Sequence, residues 1–471
     1  MGIRAMQRQK CVPSASTRAE NRQRIRLRRG LRRPSFAGMS DSTLNIGLAG
    51  FGNVGAGVYK NIEKNLPLLR ERTGKDLAVT RIAVRDPAKA RTVELPADLV
   101  TTDLDELVND PDIHLIVELI GGTDRAFDLV KAALESGKAV VTGNKALLAE
   151  RGQELFAIAE AQGQPIYYEA AVAGGIPIIK TVQESLIGNH IQSVIGIING
   201  TCNYILTRMT EAGLEYETAL GEAQSLGYAE SDPTLDVNGW DAAHKAVILA
   251  SLSYGCWVPC EQIHVEGIEN IQKEDIAFAD ELGYTIKLLA VIQLHDSNGA
   301  IEVRVQPSLI PNDHILASVK GVFNAIMVRG DVVGETLFYG SGAGQDPTSS
   351  SVIADIADAT ARLGSCEGSG FVTHGIYGKP LPISETISKY YLRVEVEDRP
   401  GTLARIATVL GNLEIGILSL IQPEDHDEAY APIVLMLHYA PFGVVQEALK
   451  QISDLDCVRE NPILLRVEDI G

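Results

Sequence analysis

Leu44-Asn45-Ile46-Gly47-Leu48-Ala49-Gly50-Phe51-Gly52-Asn53-Val54-Gly55 is an apolar run that ends in Gly-x-Gly-x-x-Gly. The run predicts a buried strand over 44–49, and residues from about 54 to 66 carry a helical pattern, so the glycines fall on a strand-to-helix turn. That context separates a dinucleotide fingerprint from a chance triplet. Gly50 permits the tight turn, Gly52 lets a pyrophosphate approach the backbone, and Gly55 lets helix and strand pack closely. The free N–H groups and positive dipole end of the helix then face the phosphates. Candidate cofactor contacts are therefore Gly50, Phe51, Gly52, Asn53, Val54 and Gly55.

Outward from this turn, strand patterns recur at 77–84, 113–119 and 139–142, with a helical pattern at 126–134. Alternation of this kind predicts an α/β, doubly wound, Rossmann-type parallel sheet. The second strand ends in Val84-Arg85-Asp86. Arg85 can pair bidentately with a 2′-phosphate, which favours NADP(H), whereas Asp86 argues the other way and leaves NAD(H) possible. Thr123 (in Gly121-Gly122-Thr123) and Lys145 (in Gly143-Asn144-Lys145) follow later strands, at the carboxyl ends where open α/β sheets bind ligand. Lys145 read blandly is a charge that opens a helix.

After Tyr167-Tyr168-Glu169-Ala170-Ala171-Val172-Ala173-Gly174-Gly175-Ile176-Pro177 the pattern becomes that of an α+β domain. Its informative stretch is Ala223-Gln224-Ser225-Leu226-Gly227-Tyr228-Ala229-Glu230-Ser231-Asp232-Pro233-Thr234-Leu235-Asp236-Val237-Asn238-Gly239-Trp240-Asp241-Ala242-Ala243-His244-Lys245. Asp241 and Lys245 stand one helical turn apart. Exposed, such a pair is worth a few tenths of a kcal/mol, about 0.3. The helix runs on, however, into Ala246-Val247-Ile248-Leu249-Ala250, which is apolar almost all round and hence buried, and charges opening a buried helix are paired or functional. Carboxylates and an ammonium converging beside a nicotinamide suit a substrate that carries both an amine and an alcohol. Further on, Gly340-Ser341-Gly342-Ala343-Gly344 precedes a helix and is expected to return the chain to the nucleotide domain, with Gly342 and Gly344 at the cofactor. The alternative is a long turn ending in a helix cap.

With these residues quoted, the chain resembles the homoserine dehydrogenases. The resemblance rests on Gly227, Asp232-Pro233, Asp236, Gly239, Asp241 and Lys245 at the family's spacing, with Asn144-Lys145, the 169–176 segment, Asn199-Gly200-Thr201 and the 340–344 glycines, and it spans about 44–365. One departure is Gly122-Thr123-Asp124-Arg125, where relatives commonly read Gly-Thr-Glu-Pro. The resemblance implies reversible NAD(P)-dependent oxidation of L-homoserine to L-aspartate 4-semialdehyde, in threonine, methionine and isoleucine biosynthesis. It implies that Lys245 exchanges the hydroxyl proton and that Lys145 sits beside nicotinamide and reacting carbon. Glu230 and Asp241 would bind the substrate's ammonium and hydroxyl ends, Gly200 and Thr201 would lie near its carboxylate, and Asp236 would orient Lys245. A lysine near other cations, or partly desolvated, is expected to have a lowered pKa. The resemblance also implies a structural sodium ion held by Glu169 and by the carbonyls of Val172, Gly174 and Ile176.

From Tyr390-Tyr391-Leu392-Arg393-Val394-Glu395-Val396 a βαββαβ order follows, with Asp398-Arg399-Pro400-Gly401 at its first strand–helix junction. This tail is similar to an ACT domain, which implies amino-acid sensing, with L-threonine as the pathway's natural effector, and self-association into a homo-oligomer, dimer or tetramer. A dimerisation domain without ligand is the alternative. The expected organisation is a basic tail over 1–40, a nucleotide domain over 41–168 completed by 335–365, a catalytic domain over 169–334, a linker over 365–388 and the ACT domain over 389–471. Truncation after about Gly378 is expected to spare catalysis and remove threonine inhibition.

Lys+Arg 42 against Asp+Glu 61 gives −19. Setting aside the ten Arg, Lys10 and Glu20 of residues 1–38 leaves 31 basic and 60 acidic residues, about −29. So acidic a body argues against nucleic acid or an anionic membrane as partner, and the longest apolar stretch, 246–258, is too short to span one. The Arg-rich head reads as a mis-assigned upstream start, with an organelle transit peptide or a nucleic-acid-binding arm as alternatives; a cytoplasmic location is expected. The six scattered Cys make no disulfide framework, and Cys256 and Cys260 lack the second ligand pair a zinc site needs. Rival functions are another NAD(P)-dependent dehydrogenase on the same two-domain plan and a non-catalytic ACT-bearing sensor.

Overall fold

A computed structural model describes residues 43–470 other than 92, 95, 296–298, 363–369 and 424–429. The basic tail 1–40 and the start of the expected linker lie outside the described residues.

The quoted run folds as β1 (Leu44–Ala49) and passes through the glycine turn into α1 (Asn53–Thr73). There follow β2 (Leu77–Ala83), β3 (Val100–Thr101), α2 (Asp105–Asn109), β4 (Leu115–Glu118), α3 (Asp124–Glu135), β5 (Ala139–Thr142), α4 (Lys145–Gln162) and β6 (Ile166–Tyr167). The strands form one parallel sheet in the order β3-β2-β1-β4-β5-β6. Strand order reverses between β1 and β4, the crevice where doubly wound sheets take their ligand. Helix α1 outruns the expected end near residue 66. Pro67 removes one backbone donor, yet Leu69 is buried and Gly74 supplies a left-handed cap (φ 73°), so the helix continues through the proline.

The next part comprises β7 (Ile191–Ile197), α5 (Gly200–Ala212), α6 (Tyr216–Ser225), α7 (Thr234–Val237), α8 (Trp240–Tyr254), β8 (His264–Val265), α9 (Lys273–Glu281), β9 (Tyr284–His295), β10 (Ala300–Pro311), β11 (Phe323–Gly330) and β12 (Gly334–Ser341). As its apolar circumference dictates, α8 is buried along nearly its whole length, and it packs on β9 and β10. Helix α10 (Gln345–Ala361) then turns back onto α1: Lys60 Nζ pairs with Asp346 Oδ1 at 2.9 Å, and Asn61 Nδ2 donates to Ser349 Oγ at 2.8 Å.

The tail folds as β13 (Ile387–Glu397), α11 (Thr402–Asn412), β14 (Ile417–Ile421), β15 (Tyr430–Pro441), α12 (Phe442–Ser453) and β16 (Ile463–Val467). Its strand order, β16-β13-β15-β14, is that of a βαββαβ unit. It is not a separate bead on a linker, as the sequence suggests. β16 pairs in parallel with β10, so one ten-stranded sheet, β12-β11-β7-β9-β10-β16-β13-β15-β14 with β8 against β10, runs through both parts. Buried ion pairs close the seam: Arg304 forks onto Glu468 at 2.7 and 2.8 Å, and Arg393 Nε donates to Asp275 Oδ1 at 2.7 Å.

Candidate active site

The glycine turn has the shape a dinucleotide needs. A Cβ at Gly50 (φ 100°) would lie 2.4 Å from Leu119 O, and one at Gly55 would lie 2.2 Å from Gly50 O. At Gly52, the N-cap of α1, nothing stands within 4 Å of the same position. Crowding at two glycines and open space at the third leave the helix N-terminus accessible to a phosphate. Phe51 is buried behind this turn, and Asn53 and Val54 open α1.

Arg85 is exposed just beyond β2. The neighbouring Asp86 is turned into its own loop, where Oδ1 accepts from Ala88 N at 2.9 Å. Thr123 is the N-cap of α3, following two left-handed glycines, Gly121 and Gly122. Asn144 ties that loop to α4: Nδ2 donates to Gly122 O at 2.7 Å, while Oδ1 caps the helix by accepting from Leu147 N at 3.1 Å. Beneath both, the buried Glu118 accepts from Thr142 Oγ1 at 2.6 Å and Ile120 N at 2.9 Å. Gly344 is the N-cap of α10 (φ 124°), and Gln345 Nε2 donates to Asn53 O at 3.1 Å, so the 340–344 loop does return to the fingerprint helix. Gly342 packs its carbonyl against Gly174.

On the other side of the crevice, α8 begins after Gly239, whose φ of 88° only glycine adopts readily. Asp241 and Lys245 are each 9% exposed, which rules out the weak surface pair. Lys245 Nζ donates to Asp241 Oδ2 at 2.6 Å and to Ile198 O at 2.8 Å. Lys145 Nζ, at the first residue of α4, lies 3.0 Å from Asp241 Oδ1. One carboxylate thus bridges the two lysines that the sequence singles out. Burial pushes Asp241 toward its neutral form, but Lys245 and Lys145 together hold its pKa well below the usual carboxylate value.

Two expectations change here. Burial disfavours the charge on Lys145, yet Asp241, Asp236 and Glu230 outweigh it and raise its pKa, the reverse of the lowering expected from sequence. Asp236 does not hold Lys245; that partner is Asp241. Asp236 instead accepts from Asn199 Nδ2 at 2.8 Å, and burial, then the neighbouring Asp241, push its carboxyl upward. Glu230 is exposed at the mouth of the cluster. Gly200 opens α5, and Thr201 Oγ1 donates to Tyr228 O at 2.8 Å, fixing the loop that carries Glu230. Asn199 and Glu118 were not marked as site residues by the sequence; each is buried and joins a local backbone N–H to side chains distant in the chain, Asp236 and Asp241 for Asn199 and Thr142 for Glu118.

Glu169, Val172, Gly174 and Ile176 form a buried turn whose Ala173 and Gly174 both have left-handed φ, 53° and 48°. Glu169 accepts from Ile179 N and Lys180 N, both at 2.9 Å; Gly174 O accepts from Ser351 Oγ at 2.6 Å and Ile176 O from Ile178 N at 2.9 Å. These are oxygen donors only, and burial pushes the Glu169 carboxyl upward, a penalty that a hard cation would offset. Among the described residues no group of three or more His, Cys, Asp or Glu could hold a metal, and no helix is long and apolar enough to cross a membrane.

The family model described as "Homoserine dehydrogenase" matches residues 177–357, that for the "Homoserine dehydrogenase, NAD binding domain" matches 50–169, and that for the "ACT domain" matches 390–456. A homoserine dehydrogenase of Pseudomonas aeruginosa is 42% identical over 436 residues, covering 91% of this chain and 99% of the relative. The chain belongs to the homoserine dehydrogenase family. The crystal structure of a homoserine dehydrogenase from Thiobacillus denitrificans superposes with a TM-score of 0.85 at 41% identity, covering 91% of this chain and 99% of that one. A hyperthermophilic archaeal homoserine dehydrogenase in complex with NADPH is also similar, with a TM-score of 0.58, 29% identity, and 69% and 100% coverage.

A homoserine dehydrogenase is an NAD(P)-dependent oxidoreductase acting on a CH–OH group. Oxidising homoserine removes a hydride from the carbinol carbon and a proton from its oxygen. The nicotinamide, when bound, supplies the hydride acceptor. The chain must supply the rest: a cradle for the pyrophosphate, a proton acceptor at the hydroxyl, and positive charge near the developing alkoxide. The glycine turn is carried by β1 and α1, and the two lysines by α4 and α8.

Proposed function

We propose that this homoserine dehydrogenase works with NADP(H) in preference to NAD(H), through Arg85 on the ribose 2′-phosphate. The observation that supports this is local: Arg85 is exposed beyond β2, while Asp86, the acid that would suit a free 2′-OH, is committed to Ala88 N. In the reaction, Lys245 as the neutral amine takes the hydroxyl proton of L-homoserine while the carbon that bears this hydroxyl gives up its hydride, for which a bound nicotinamide would be the acceptor; in the reverse direction the Lys245 ammonium returns the proton to the carbonyl oxygen of L-aspartate 4-semialdehyde. Lys145 stays cationic beside the reacting carbon, as its raised pKa favours, and stabilises the alkoxide. Glu230 takes the substrate ammonium, and Gly200 and Thr201 at the N-terminus of α5 take its carboxylate. Because both oxygens of Asp241 face lysines, its role is to organise them rather than to bind substrate on its own.

A structural sodium ion at Glu169, Val172, Gly174 and Ile176, L-threonine as the effector of the ACT domain, a homo-oligomeric state and a cytoplasmic location complete the proposal. Initial rates of homoserine oxidation with NADP+ and NAD+, each with and without L-threonine, test its finer points. Arg85→Ala is expected to raise KM for NADP+ by about tenfold and to leave that for NAD+ within about twofold, consistent with loss of one charge-assisted phosphate contact. Equal changes with both cofactors would remove Arg85 from the 2′-phosphate. Rates untouched by threonine would exclude it as the effector.

A further inference from the structure

We infer that Asn199 is a positioning residue of the active site: its amide fixes which oxygen of Asp241 faces which lysine and lets Asp236 and Asp241 stand close together as carboxylates. The inference rests on the reading of Lys245 and Lys145 given above and goes beyond it.

Asn199 is 3% exposed and sits between β7, inside the large sheet, and α5. Every polar atom of its side chain is used. Oδ1 accepts from Cys202 N at 2.8 Å and caps α5, while Nδ2 donates to Asp236 Oδ1 and to Asp241 Oδ2, both at 2.8 Å. The amide cannot be reversed, because Nδ2 would then face the Cys202 N–H and Oδ1 would face two carboxylates. The preceding carbonyl, Ile198 O, accepts from Lys245 at 2.8 Å. Two successive residues therefore touch Lys245, Asp241 and Asp236, which come from two different helices.

The two carboxylate oxygens contact the same nitrogen, so they are separated by no more than twice one hydrogen-bond length. Carboxylates that close favour a shared proton unless donors stand between them. Asn199 provides those donors. With Oδ2 of Asp241 held by Asn199 and Lys245, Oδ1 is left to Lys145, and the two ammonium groups take fixed places on either side of one carboxylate. The other ionisable groups facing this cluster are Glu230 from the loop before α7, Cys202 from α5 and His244 from α8.

Three substitutions separate positioning from capping. Asn199→Ser keeps a good cap acceptor and removes both amide donors. Asn199→Asp keeps the cap and replaces the donors with a third carboxylate. Asn199→Ala removes cap and donors together. The expected result is that Asn199→Ser unfolds within a few degrees of wild type, about 3 °C, since a serine cap costs little. Its kcat for homoserine oxidation should fall by about 10- to 100-fold, with KM for NADP+ changed less than about twofold and the acid limb of the kcat–pH profile moved to higher pH. Asn199→Asp should lower kcat at least as far as Asn199→Ser, because a third carboxylate replaces the donors that stand between Asp236 and Asp241. Wild-type kcat and an unmoved pH profile in Asn199→Ser, or losses in all three variants that only track their melting temperatures, would overturn the inference and leave Asn199 as a cap. Wild-type turnover and the Lys245→Ala variant, run alongside, report on the reaction itself, so failure of that reading is distinguishable from failure of this one.

Discussion

Lys245→Ala is expected to lower kcat for L-homoserine oxidation by about 10²- to 10⁴-fold, the usual worth of a positioned acid–base group, with the Kd of NADP(H) unchanged within about twofold. The separation of effects follows from position. Lys245 lies on α8 and, among the described residues, donates to Asp241 Oδ2 and Ile198 O, whereas the pyrophosphate cradle is built from β1 and α1. Removing the amine leaves Asp241 paired with Lys145, so a buried carboxylate is not stranded and the protein should fold. Steady-state kinetics and a fluorescence titration of NADPH check the two halves. Near-wild-type kcat would show that another group carries the proton. Loss of NADPH binding would show that α8 shapes the cofactor site.

The second large effect is on stability. Arg304→Ala is expected to destabilise the protein by about 3–5 kcal/mol, because truncation leaves Glu468 buried without the fork that holds it and removes the nearest cation from the buried Glu302. Arg304 is 2% exposed, its Nε donates to Glu302 Oε1 at 2.6 Å, and its two Nη atoms fork onto Glu468. Burial alone would push Glu302 upward, but His295, Arg304 and Arg466 bring it down to about 2. A carboxyl depressed in the folded state contributes stability above its unfolded value that disappears as pH falls toward 2, so part of the acid sensitivity should vanish in the variant. Denaturant unfolding at neutral pH and near pH 3 reads both. A loss under about 1 kcal/mol would mean that the seam between β10 and β16 is wet and weak.

That seam also changes what truncation should do. Cutting after Gly378 would uncover the β10 edge and strip Arg304 and Asp275 of Glu468, Tyr391 and Arg393. Catalysis is then expected to fail with folding, and point variants, not truncation, are the means to probe regulation.

Much of the architecture is legible because it is local. The alternation of apolar runs with helical patterns identifies the parallel sheet, the three glycines mark its ligand turn, and the all-round apolar helix after Lys245 announces that Asp241 and Lys245 are buried. What the sequence hides are contacts between segments far apart. Nothing near Lys145 signals that Asp241, nearly a hundred residues later, raises its pKa rather than leaving desolvation to lower it. Asn199 looks like an ordinary helix cap until β7, α7 and α8 are brought together. The tail reads as a fresh domain because its own βαββαβ pattern is complete; that β16 finds β10 as a neighbour depends on edges that no periodicity records.

The most direct test of the central assignment is the initial rate of NADP+ and NAD+ reduction by the full chain with L-homoserine as substrate. Saturable, homoserine-dependent turnover, reversed by L-aspartate 4-semialdehyde with reduced cofactor, is the predicted result. No rate above background with either cofactor, or equal turnover of a hydroxy acid that lacks the amine, would contradict it.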